Sequence, residues 1–157
     1  MTGAVGVEEP TARTEPGVSY AVARLHQRIF AGITERVASH GLTTLQFTTL
    51  SVLSRHGAPL STSQLARRAF MTPQSMSEVI HALERKGLIK RKPHPNHRRT
   101  LPAALTAKGR RVLAACDEAV SEFEDSMLEG FSEKDRASFL DMVKAAVRNL
   151  AGGFPSD

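Results

Sequence analysis

The chain has 157 residues, 41% hydrophobic and 24% charged, with a formal net charge of +5. This balance fits one folded domain whose core needs neither disulfides nor a structural metal, and it excludes a disordered or fibrous chain. The single cysteine, Cys116, makes no internal disulfide, no apolar run approaches the roughly 18 residues of a membrane span, and the N-terminus lacks the basic and apolar regions of a secretory signal, so a cytoplasmic protein is expected.

The charge is spread unevenly. Residues 1–41 balance four bases against four acids. Residues 42–111 carry thirteen bases against only Glu78 and Glu84, net +11, and residues 112–157 carry four bases and ten acids, net −6. A basic middle followed by an acidic tail is the asymmetry of a chain that presents one part to a polyanion.

In chain order, residues 1–17 hold Pro10 and Pro16 without apolar periodicity and read as a flexible arm. Val22, Leu25, Ile29, Ile33 and Val37 then recur at helical spacing until Gly41. Thr43 and Gln46 form a capping-box pattern before a second helix that ends near Gly57, and Ser61 with Gln64 repeats the pattern for a short third helix to about Ala69. Thr72-Pro73 is an N-cap followed by proline at the first helical position. It opens a fourth helix with Met76, Val79, Ile80 and Leu83 inward, stopped at Gly87. Leu88 to Lys92 reads as a strand, His94-Pro95-Asn96-His97 as a turn and Thr100 to Leu105 as a returning strand, in which Pro102 lacks the ladder donor. Thr106 caps a long helix carrying Val112, Leu113, Cys116, Val120, Phe123 and Met127. Ser132 caps the last, with Phe139, Met142, Val143, Ala146 and Leu150 on its stripe.

The third and fourth helices make a helix-turn-helix candidate, and the hairpin a candidate wing. A helix of this kind fits the DNA major groove. Gln74, Ser75, Ser77, Glu78 and His81 face outward on it, and Gln74 can pair bidentately with adenine. Ser61, Thr62, Ser63 and Thr72, at helix N-termini, are candidate phosphate contacts. Arg98 and Arg99, with His97 beside them, are placed at the hairpin tip for a narrow minor groove.

The runs GLTTLQFTTLSVL, LSTSQLARRAFMTPQSMSEVIHALERKGLIKRKPHP and NHRRTLPAALTAKG, in this order and spacing, resemble the multiple-antibiotic-resistance regulator (MarR) family of winged-helix transcription factors. The resemblance extends over about residues 18–150. It implies a mainly α chain with a small β-hairpin wing: a winged helix-turn-helix lobe plus N- and C-terminal dimerisation helices. The expected division is a flexible arm over 1–17, a dimerisation helix over 18–41, the DNA-binding lobe over 42–109 and C-terminal dimerisation helices over 110–151. It further implies a repressor that binds a pseudo-palindromic operator as a homodimer, its half-sites roughly 34–36 Å apart, and is released by a small aromatic or phenolic effector. Helix faces point to His26, Ile29, Phe30 and Phe47 for that effector. The wing departs from the family at its tip, where His97 stands in place of an aspartate that orients the next arginine. A histidine cannot make that ion pair, so minor-groove insertion falls to Arg98 with Arg99 sharing it.

Other chemistries have less behind them. His94 and His97 could belong to a metal-responsive regulator, but neither a tight Cys/His cluster nor an HExxH helix accompanies them. Cys116, on an apolar stripe beside Asp117 and Glu118, is poorly placed for redox sensing. A low-specificity architectural DNA-binding protein would share the basic lobe. No nucleophile elbow, Walker loop or dinucleotide fingerprint is present, so neither an enzyme nor a bound cofactor is expected.

Overall fold

The computed structural model describes residues 17–91 and 101–150. In order they form α1 (Val18–Ser39), α2 (Thr44–His56), α3 (Thr62–Arg68), α4 (Pro73–Arg85), β1 (Ile89–Arg91), β2 (Ala103–Leu105), α5 (Ala107–Met127) and α6 (Glu133–Asn149). The architecture is the mainly helical winged-helix class expected from the sequence. No helix among the described residues is long and apolar enough to cross a membrane.

Local chemistry sets the helix starts. Thr43 with Gln46, and Ser61 with Gln64, close full capping boxes, each side chain satisfying the other residue's N–H. The Thr72, Thr106 and Ser132 hydroxyls accept from Ser75, Gly109 and Asp135 N–H groups at the N-termini of α4, α5 and α6.

Among the described residues both strands begin later than the sequence reading expects. β1 begins at Ile89 rather than Leu88, because Leu88 N–H is already spent on Leu83 O at 3.0 Å, closing the end of α4. β2 begins at Ala103, so Pro102 stands just ahead of the strand and removes no donor from it. Ile89, Lys90 and Arg91 pair antiparallel with Leu105, Ala104 and Ala103. Ala103 also exchanges two backbone bonds with Leu60, 2.8 and 3.0 Å, so the residue before α3 adds a one-residue third strand. The core lies under this sheet, with Leu50, Leu60, Leu65, Met76, Ile80 and Leu83 fully buried.

The ends of α2, α4 and α5 meet at one junction. Lys86 Nζ donates to Gly41 O at 2.6 Å and to Gln46 Oε1 at 2.8 Å. Gly87, at φ +69°, turns the chain there. The Thr106 hydroxyl donates to the carbonyls of Gly87 and Leu88, 2.7 and 3.1 Å away, and Lys108 Nζ donates to Lys86 O at 2.9 Å. The first turn of α5 lies so close to Leu88 that a Cβ on Gly109 would overlap the Leu88 carbonyl.

The outer helices are different. α1 packs on α5, where Gly32 leaves room for the Phe123 ring and Arg36 stands 4.3 Å over it. Within this chain α1 buries only Val37, and α6 buries no residue at all. Val18, Val22, Phe30, Leu140, Met142 and Leu150 are each more than half exposed.

Gly109→Ala tests the junction. Forcing a methyl against the Leu88 carbonyl is expected to lower stability in urea unfolding by about 1–3 kcal/mol. An unchanged midpoint would show that the contact has slack.

Candidate nucleic-acid interface

α3 and α4 are joined through Ala69, Phe70 and Met71. Met71 N–H bonds Ala66 O at 2.8 Å and Phe70 N–H bonds Arg67 O at 3.3 Å, the paired bonds that end a helix on a left-handed residue. That residue is Phe70, at φ +54°, the one non-glycine with positive φ among the described residues. Its side chain is exposed.

α4 then runs with Met76, Ile80 and Leu83 in the core and Val79 packed beside them. Of the expected reading residues, Gln74, Ser75, Glu78 and His81 are exposed and Ser77 is half-buried. The Thr72 hydroxyl is committed to capping, accepting from Ser75 N–H at 3.2 Å and donating to Ser75 Oγ at 3.0 Å. Ser61 is committed in the same way to Gln64, and Thr62 is half-buried, which leaves Ser63 the exposed hydroxyl at the start of α3. His94, His97, Arg98 and Arg99 lie outside the described residues.

One feature of this face has no signal in the spacing of the sequence. Arg91 Nε on β1 stands 3.1 Å from Glu84 Oε2 on α4, both side chains largely withdrawn from solvent. The pair ties the base of the wing to the recognition helix. It also neutralises one of the two acids of the basic segment, so that Glu78 is the acid left on the outward face of α4.

Behind the lobe a crevice of about 390 Å³ opens between α1, α2 and α5, lined by Ile33, Phe47, Ser51, Arg55, Asp117 and Glu124 among others. Of the four residues expected at an effector site, Phe47 lines it. Ile29 is half-buried outside it, and His26 and Phe30 are exposed one turn apart on α1, their rings 6.2 Å apart. The Ser51 hydroxyl is buried without a hydrogen-bond partner among the described residues. Partial desolvation raises the Asp117 carboxyl above its ordinary value, and nearby Arg55 opposes the shift. Cys116 is fully buried, and burial and then Asp117 push its thiol up, which disfavours a reactive thiolate. Among the described residues no group of three His, Cys, Asp or Glu is disposed to hold a metal.

Comparison with known proteins places this geometry. A family model described as the MarR family matches residues 40–100. The transcriptional repressor Rv2887 of Mycobacterium tuberculosis is 29% identical over 127 residues, 81% of this chain and 91% of its own. The solved structure of the repressor CouR bound to a 23-mer DNA duplex superimposes with a TM-score of 0.73 at 29% identity, covering 82% of this chain and 91% of that one. The Rv2887 structure in complex with DNA gives 0.73 at 27% identity, over 84% and 98%. These relatives are transcriptional repressors, not enzymes.

The crevice has a pH signature. Because the Asp117 pKa is raised in the folded state, its ionisation opposes folding above that value, and the penalty disappears as pH falls below the unfolded value near 3.8. Asp117→Asn is therefore expected to be more stable than wild type at pH 7, with the difference shrinking in acid. Thermal melts at pH 7 and pH 3.5 check this, and an equal or lower melting temperature at pH 7 would contradict it.

Proposed function

We propose that the chain is a transcriptional repressor of the MarR family that binds a pseudo-palindromic DNA operator as a homodimer, with α4 in the major groove. The observation that carries this reading is the outward face of α4: a short polar front of Gln74, Ser75 and Ser77 on a helix whose other face is locked into the core. It stands within a segment of net charge +11, and the relatives CouR and Rv2887 were solved on DNA with the same fold. Gln74 reads a base edge, Ser75, Ser77, Glu78 and His81 flank it, and Ser61, Thr62, Ser63 and Thr72 lie toward the backbone. Arg98 and Arg99, with His97, carry the wing contact.

The homodimer has separate support. A helix whose apolar stripe buries nothing in its own chain leaves that surface to water, and α6 is such a helix. A second copy related by two-fold symmetry would cover α6 and the exposed residues of α1 with the same surfaces. On this reading residues 18–41 and 110–151 form the dimerisation helices around the lobe of 42–109, with 1–17 as an arm.

The crevice between α1, α2 and α5 lies where the lobe meets those helices, which suits a small-molecule effector. It offers one guanidinium, Arg55, against the carboxylates of Asp117 and Glu124. A neutral or cationic small aromatic therefore matches its charge better than the phenolic anion expected from the family. Release of bound DNA by the former and not the latter is the expected result of a competition series, and the reverse order would remove this assignment.

Two variants separate reading from anchoring. Gln74→Ala is expected to change the preferred base at its position at a cost of about 1–3 kcal/mol. Arg98→Ala is expected instead to weaken binding to all sequences and to reduce the salt slope by about one unit. Fluorescence anisotropy on matched and scrambled duplexes checks both. Unchanged affinity and preference in the Gln74 variant would remove Gln74 from base reading.

A further inference from the structure

Phe70 breaks two local rules at once. It ends α3 in the left-handed conformation, at φ +54°, where glycine is the usual residue because a side chain there crowds the backbone. It is also 78% exposed as a residue, more than any other Phe or Tyr among the described residues. The strain brings the ring no burial in the free chain. Backbone strain of this kind concentrates at functional sites, where the surrounding fold holds the residue in place.

Its neighbours say what the ring meets. Arg67 and Arg68 precede it and Thr72 caps α4 two residues later, and the stretch from Arg67 to Gln74 contains no acid. With α4 in the major groove, the turn that feeds its N-terminus lies at the groove's lip, where the sugar–phosphate backbone passes. The arginines suit the phosphates, and the ring suits the apolar edge of the sugars between them.

We propose that Phe70 is a DNA-positioning residue that packs its ring against the deoxyribose edge beside α4, adding affinity without sequence preference. This rests on the DNA-binding reading above. Because the contact is apolar, it releases no counterions and does not contribute to the salt slope.

Phe70→Gly separates the two sides of the idea. Glycine relieves the left-handed strain, so the variant is expected to melt no lower than wild type. The same variant is expected to bind DNA about tenfold more weakly, the loss of one buried aromatic contact. The loss should be similar on matched and scrambled duplexes, with an unchanged salt slope. Wild-type affinity in Phe70→Gly would overturn the proposal. So would a reduced salt slope, which would make the contact ionic, or a fall in oligomeric state by sedimentation, which would place the ring against a second copy of the chain. If wild type itself fails to bind duplex DNA, the DNA-binding reading fails with it; if only the variant's loss is missing, the Phe70 assignment fails alone.

Discussion

The short stretch from Lys86 to Leu88 joins the ends of three helices, through the Lys86 ammonium on one side and through its backbone carbonyls on the other. The ammonium donates to Gly41 O and Gln46 Oε1 at the start of α2, while the carbonyls of Lys86, Gly87 and Leu88 accept from Lys108 and Thr106 at the start of α5. The charge-assisted bonds of the two lysines are roughly twice as strong as neutral ones, and the carbonyls just past α4 lack intrahelical partners of their own. The consequence is mechanical. α4 is joined to α2 behind it and to α5 beside it within a few residues, so the face it presents outward has a fixed direction relative to the long helix. A helix that reads base edges needs that rigidity, because its side chains must meet donors and acceptors in the groove without first being ordered.

Charge follows the same geometry. The net of +5 is the remainder of a +11 middle and a −6 tail. Within the middle, Glu84 is engaged by Arg91, which leaves the sum unchanged and leaves Glu78 as the acid on the outward face of α4. Most acids of the tail fall on α5 and α6, and α6 has its apolar stripe open. Pairing of two chains through these helices would double both charges and set them apart in space, with the basic surfaces of two lobes facing one duplex.

The elements that depend on local chemistry were legible in the sequence. The capping boxes at Thr43 and Ser61, the Thr72-Pro73 start and the Thr106 and Ser132 caps needed only neighbouring residues. What depends on contacts between distant segments was not. The three signature runs meet at Lys86, which their spacing alone does not say. β1 starts one residue late because Leu88 N–H closes α4, a tertiary competition with no mark in the strand pattern. On α1 the sequence did not single out the residue that lines the crevice, because that helix has apolar side chains on more than one face. Ile33 reaches the crevice, while His26 and Phe30 point to solvent. Phe70 could have been noticed as an aromatic in a turn, but its left-handed backbone is visible only in three dimensions.

The central claim is that two copies of α4, held rigidly by this junction, read DNA as a symmetric pair. Selection of bound duplexes from a random pool by the full-length protein tests it most directly. The account predicts a two-fold-related motif whose half-site centres lie about one helical turn apart, roughly 10 base pairs. Enrichment of no motif, or of a single unrepeated half-site, would contradict it.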